Sequence, residues 1–413
     1  MPFGLIKYGL SSRYPVIRKF PARPELKPRY DVVIIGAGGH GLATAYYLAK
    51  HHNITNVAVV DKGYVGGGNT ARNTAIIRSN YLTPDGVKFY DASLRLFKDL
   101  SHELDFNIMY SERGHLTLAH TDAALRTSRW RAEVNKHLGI DSEVVSPEEI
   151  ARIEPTLNLS PNVRYPILGA LHHRPGAIAR HDAVAWGYAM GAAERGVEIH
   201  PDTEVTDILV EGGAATGVET TRGTVRCGCV VQAVAGSSSL VAGMAGFKLP
   251  IRSMPLQACV SQPLKPFLDT IVVSGSLHVY ISQSSRGELV MGGATDPYQL
   301  YSTRSTLDFT EGLMGHVLEL FPFLGNVRVM RQWAGIADMT PDFAPIMGES
   351  PVRNYYLDAG WGTWGFKATP ACGTYMADMV ATGRTPDMIA PFALERFQRF
   401  DQFGERGAAS VGH

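Results

Sequence analysis

The chain has 413 residues, of which 45% are hydrophobic and 19% charged, and its 39 basic and 39 acidic side chains cancel to a formal charge of zero. That length accommodates two or three domains, or two interleaved ones, and the balanced charge excludes a polyanion binder and gives no footprint for nucleic acid. No apolar run reaches the roughly 20 residues that span a bilayer. No secretory leader is legible, and four cysteines (Cys227, Cys229, Cys259, Cys372) are too few to staple such a chain, so a cytoplasmic protein without membrane contact is expected.

Residues 1–30 read as a basic arm. Lys7, Arg13, Arg18, Lys19, Arg23, Lys27 and Arg29 face only Glu25, and Pro15, Pro21, Pro24 and Pro28 interrupt any period, which suits a tail or a strap over a neighbouring subunit. Tyr30 to Ile35 is a continuous apolar run of the kind found in parallel strands buried on both faces. The turn Gly36-Ala37-Gly38-Gly39-His40-Gly41 follows, then a helix from Leu42 to His51, then a second buried strand, Val57 to Val60, tipped by Asp61. This is the first βαβ unit of a dinucleotide-binding domain: Gly36 permits the turn, Gly38 and Gly39 with His40 lie where a pyrophosphate approaches, Gly41 allows close packing, and Asp61 reaches an adenosine ribose.

Gly66-Gly67-Gly68-Asn69-Thr70-Ala71-Arg72-Asn73 is a second glycine-rich loop, suited to a cofactor held at several points by Gly68, Asn69, Thr70, Arg72 and Asn73. Further along, Met109 to His120 predicts a hairpin turning at Arg113-Gly114, Thr121 to Leu138 a helix, and Ser146-Pro147-Glu148-Glu149 a capping box. A helix after Asp182 stops at Gly196. An antiparallel meander over 203–234 begins near Val205 and ends in a turn at Gly236, both expected against the cofactor. Several long strands and one helix, Leu307 to Phe321, fill 249–338. Tyr355 to Asp358 then returns to the first style, with a turn from Gly360 to Gly365 and a helix opened by Thr369-Pro370. Gly362 and Gly365 let backbone lie against a flat ring, and Lys367 with the helix N-terminus would stabilise the negative charge that reduced flavin carries at its pyrimidine edge.

The glycine motif, the G-G-G-N-T-A-R-N loop, Thr74-Ala75-Ile76-Ile77-Arg78-Ser79-Asn80-Tyr81 and the run Gly360 to Pro370 resemble the FAD-dependent amine oxidases of the D-amino-acid oxidase type. Within them the A-R-H-D-A-V-A-W-G-Y and R-Q-W-A-G-I-A-D-M-T-P-D segments look like the β subunits of heterotetrameric sarcosine oxidases, and the likeness extends from the basic arm to the Gly407-Ala408-Ala409 tail. The resemblance implies an α/β fold: a Rossmann-type FAD-binding domain (31–110, 177–248 and 335–413) interleaved with an α+β substrate domain on a mixed antiparallel sheet (111–176 and 249–334).

It also implies noncovalent FAD, oxidation of sarcosine by hydride transfer, and a carboxylate clamp in which Arg78 grips the substrate and Lys367 lies between it and the flavin. A second flavin, FMN, would be attached covalently at His181, with Arg180 and Arg174 balancing its phosphate and His172 and His173 as rival attachment points. The strand Glu288 to Gly293 lacks the lysine with which single-chain sarcosine oxidases activate oxygen, so electrons are expected to pass to FMN and there reduce O2 to H2O2. The implied partners are α, γ and δ subunits, with the imine carbon passed to tetrahydrofolate on α. The alternatives are a stand-alone FAD amino acid dehydrogenase or oxidase, glycine oxidase-like, and a flavin-carrying assembly subunit without chemistry of its own.

Overall fold

The computed structural model describes residues 6, 9–11 and 24–405; Lys7, Arg13, Arg18, Lys19 and Arg23 of the basic arm and the Gly407-Ala408-Ala409 tail lie outside them. The first sheet is built on five parallel strands in the order Tyr355–Ala359, Gly223–Gln232, Arg29–Ile35, Val57–Val60, Glu198–His200. Val32 and Ile34 pack into one core and Val33 and Ile35 into another, which is why the run reads as apolar throughout. Val205–Glu211 and Ala214–Thr220 continue antiparallel from the first half of Gly223–Gln232, the meander legible in the sequence. On one face the helices Gly39–His52 and Gly365–Thr382 cross so closely that a Cβ on Gly373 would lie 2.4 Å from Ala43 Cβ, hence the small residues there.

The second sheet has eight strands in the order Val329–Met339, Arg252–Pro263, Glu288–Thr295, Val279–Gln283, Ile271–Ser274, His115–Ala119, Gly169–His173, Ser142–Val145. All neighbours are antiparallel except Ile271–Ser274 and His115–Ala119, so the sheet is mixed, as expected. Val329–Met339 runs across 334/335, where the sequence places a boundary between units. The helix Leu307–Leu320 buries Leu313, Val317 and Leu320 against this sheet. The capping box closes as drawn: Ser146 Oγ accepts from Glu149 N–H, and the Glu149 carboxylate accepts from Ser146 N–H at 2.8 Å.

Two local expectations fail. Met109 to His120 is no hairpin, because the N–H groups of Arg113 and Gly114 both bond Gly176 O, at 2.8 and 2.9 Å. Ser111–Glu112 consequently joins Ile76–Ile77 and Ala177–Ile178 in a small third sheet while His115–Ala119 enters the second. The C-terminal helix opens at Gly365, one turn before Thr369, and carries Pro370 as its sixth residue. Proline is a signal for a helix start because an early N–H has no partner to lose, and here that signal lands one turn late. The four cysteines are free and buried or half-buried, and among the described residues no helix is long and apolar enough to cross a membrane.

Candidate active site and cofactor cleft

A cavity of ≈ 650 Å³ opens between the first sheet and the second. Gly36, Gly38, Gly39, His40, Asp61, Gly68, Asn69, Thr70, Arg72, Asn73, Arg78, Val205, Gly236, Gly362, Gly365 and Lys367 all line it, although they come from five separate stretches of chain. Gly41, Arg180 and His181 do not. Gly41 acts instead on the turn: a Cβ there would lie 2.0 Å from Gly36 O. Gly36 itself has φ of 111°, and a Cβ on it would lie 2.2 Å from Ala233 O.

At one end Asp61 accepts N–H bonds from Ala37 and Gly63, each 2.8 Å. A carboxylate has about four acceptor positions, so room remains for a ribose hydroxyl. In the second glycine loop the side chains do something other than expected. Asn69 bonds both the N–H and the carbonyl of Ile336, at 2.9 and 2.6 Å, and Arg72 donates to the carbonyls of Gly67 and Gly68. These bonds hold the loop in place, because the strand Val329–Met339 runs beside it and offers backbone partners. Thr70 Oγ1 accepts from Gly39 N–H at 2.9 Å and so ties the two glycine loops together. Thr369 Oγ1, in the cleft wall, is buried with no partner among the described residues, an orphaned hydroxyl that a bound cofactor would satisfy. Between the fit of the glycine turns and this hydroxyl, the residues present suit FAD.

His40 is a cation that motif reading alone does not reveal. Its Nδ1 lies 3.0 Å from Asp358 Oδ1 and its Nε2 2.7 Å from Gly365 O, and two acceptors require two N–H groups. Burial opposes the proton, but Asp358 and the carbonyl raise the ring above its ordinary pKa. Cys372 completes a cluster with His40 and Asp358, within 4.8 Å of one another. Burial and Asp358 push its thiol well above its ordinary value, and a metal would need the thiolate, so this is a hydrogen-bonded cluster.

At the other end stand Arg78 and Lys367, 4% and 7% exposed. Arg78 Nη1 donates to Asn80 Oδ1 at 2.9 Å, and its guanidinium sits 4.5 Å from the centre of the Tyr81 ring. Lys367 is the third residue of its helix, and burial followed by the Arg78 charge holds it well below the ordinary lysine range. A buried guanidinium and a buried amine facing one cavity invite an anion.

Sequence reading missed three wall residues here. His115 and Tyr280 come from the interior of the second sheet, where a polar residue on a strand carries no motif, and Asp338 lies at the end of Val329–Met339. Burial pushes Asp338 up to about 7, against N–H bonds from its own backbone, Gly360 and Trp361. Its folded pKa thus exceeds the unfolded one, so its contribution to stability is full below about 4 and lost as pH rises towards 7. Thermal midpoints of Asp338→Asn are therefore expected to fall less than those of the parent between about pH 4 and 7; parallel curves would contradict this.

His181 begins the helix His181–Ala193, with Arg180 at the N-cap and no side-chain cap. The arginines expected near a phosphate are already ion-paired: Arg180 grips Asp182 at 2.8 and 2.9 Å, and Arg174 bonds Asp141 and Glu143. His181 Nδ1 is buried without a partner among the described residues, and burial lowers the ring's pKa, with Arg180 adding to it and Asp182 opposing. The rival His173 is fully engaged: Nδ1 donates to Asp141 O at 3.0 Å, and Nε2 accepts from Ser79 N–H at 3.3 Å. His172 is half-buried.

Comparison with known proteins places this geometry. Residues 31–379 match the family described as FAD dependent oxidoreductase (DAO). A sarcosine oxidase subunit beta of an Arthrobacter species is 48% identical over 95% of this chain and 97% of its own length, and one from Rhodobacter capsulatus is 47% identical over 95% and 94%. Among solved structures, an L-proline dehydrogenase from P. horikoshii superposes with a TM-score of 0.86 at 28% identity, covering 92% of this chain and 100% of that one. The chain is therefore an FAD-dependent oxidoreductase of the DAO family and belongs, within it, to the sarcosine oxidase β subunits.

Proposed function

We propose that the chain is the amine-oxidising β subunit of a heterotetrameric, cytoplasmic sarcosine oxidase. The observation that carries this reading is the convergence of buried Arg78 and Lys367 on one end of a cleft whose other end has the glycine turn and Asp61 of a dinucleotide site. Arg78 would hold the carboxylate of N-methylglycine through its planar fork, and Lys367, at a helix N-terminus, would lie between that carboxylate and the flavin edge. Burial of the clamp excludes water from the carbon that reacts, and no side chain has to take a proton if the amine binds unprotonated. FAD supplies the hydride acceptor when bound, and FMN the route by which both electrons reach O2 to give H2O2.

The FMN reading rests on His181, whose ring is held neutral by burial and whose Nδ1 lacks a partner among the described residues, and a neutral imidazole has the lone pair that covalent attachment needs. His173 has both nitrogens engaged and does not compete. The pairs that hold Arg180 and Arg174 are solvent-exposed and weak, so a phosphate can exchange with their acids. The likeness to proteins named as β subunits supports a multi-subunit enzyme, and on this reading the partners are α, γ and δ subunits, with the imine carbon passed to tetrahydrofolate on α. Mass measurement of the tryptic peptide containing His181, from chain expressed with its partners, is expected to show an FMN-sized increment. An unmodified peptide, with full turnover by the chain alone, favours instead a stand-alone FAD amino acid dehydrogenase or oxidase.

A further inference from the structure

The clamp leaves His115, among the titratable side chains of the cleft wall, without a role. His115 opens the strand His115–Ala119, is 1% exposed, and lines the cavity together with Arg78 and Lys367. Its position is fixed from behind: Gly176 O holds the N–H groups of Arg113 and Gly114, and a Cβ on Gly176 would lie 2.6 Å from His115 Cβ. Its partner across the sheet, His173, has both ring nitrogens bonded. His115 does not. Its Nδ1 lies 3.4 Å from Thr117 Oγ1, to which it donates in the tautomer that leaves Nε2 a bare acceptor, and Nε2 makes no hydrogen bond among the described residues.

Burial, then the charge of Arg78, with His173, Arg131 and Lys367 after it, push the His115 ring well below its ordinary pKa. It is therefore a neutral imidazole, one donor and one acceptor, in the wall that also carries Arg78 and Lys367. A small amino acid held by its carboxylate, with the amine neutral as hydride loss demands, brings one donor to such a wall: its amine N–H. An acceptor fixed in place there would set the rotation of the amine so that its lone pair lies parallel to the C–H bond that gives up hydride.

Resting on the function proposed above, we propose that His115 is a substrate-contacting residue whose Nε2 accepts the amine N–H, so that the enzyme selects secondary and primary amines over tertiary ones. N,N-dimethylglycine differs from sarcosine by the loss of that N–H. The test is anaerobic flavin reduction of the FAD-loaded, fully assembled enzyme by sarcosine and by N,N-dimethylglycine, in the parent, His115→Leu and His115→Gln. One hydrogen bond to a buried partner corresponds to roughly a tenfold effect. His115→Leu is expected to cut the sarcosine rate at subsaturation about tenfold and leave the dimethylglycine rate unchanged, and His115→Gln, which keeps an acceptor, to recover most of the loss. An unchanged ratio of the two rates in His115→Leu overturns the proposal, since the discrimination would then be steric. If the leucine variant fails to hold FAD, the parent and the glutamine variant decide: a parent reduced equally fast by both amines, or a glutamine variant as impaired with sarcosine as with the tertiary amine, also overturns it. No reduction of the parent by either amine sinks the proposed function itself, and the role of His115 with it.

Discussion

Arg78→Ala is expected to lower kcat/KM for sarcosine by about 10²- to 10³-fold, with FAD retained. Arg78 is nearly inaccessible, packs over the Tyr81 ring and donates to Asn80 through one arm of its guanidinium, so its head is held in place before substrate arrives. An anion moved from water into that setting depends on the fork for both charge and direction, and truncating one partner of a desolvated charge pair is among the costliest single changes. Arg78→Lys should recover only part of the loss, because an ammonium offers a point charge where the carboxylate meets a plane. Rapid-mixing reduction of the flavin measures the effect, and the visible flavin spectrum reports that the cleft is intact. A loss below about fivefold would remove Arg78 from the clamp.

Lys367→Met is expected to cost about 10²-fold in the rate of flavin reduction and to change the pH dependence of carboxylate binding. In the free protein the lysine is held far below its ordinary range by desolvation and by Arg78, so it loses its proton at a lower pH than a free lysine. A bound carboxylate supplies the missing negative charge and raises it again. Binding therefore takes up a proton wherever the free lysine is neutral, and affinity for a carboxylate falls as pH rises through that depressed pKa. Without Lys367 that slope should vanish and the affinity stay low across the range. Titration of the flavin spectrum with a simple carboxylate such as acetate checks this, and a slope retained in Lys367→Met would assign it to another group.

Much of this was legible because it is local. A run buried on both faces, Tyr30 to Ile35, followed by a glycine turn and a helix with small residues, admits few folds, and the small residues find their reason in Gly373 pressing on Ala43. Ser146 and Glu149 need only each other. What escaped is nonlocal. Arg113-Gly114 carries a turn signal, yet Gly176, far along the chain, takes both N–H groups and sends the flanking strands into different sheets. Asn69 and Arg72 are the right residue types for an anion, but the strand at Ile336 and the carbonyls of Gly67 and Gly68 claim them first. The charge on His40 depends on Asp358 and Gly365, and the place of His115 in the wall depends on which strands the second sheet sets side by side.

On the proposed function a glycine derivative, held by its carboxylate between Arg78 and Lys367, gives up hydride to a flavin lying along the glycine turn. Anaerobic addition of sarcosine to the purified, FAD-loaded protein tests it in one step. The expected result is a yellow protein that bleaches as sarcosine is added and regains its colour on admission of O2. A protein that takes up no FAD, or a bound flavin left oxidised by excess sarcosine, would contradict it.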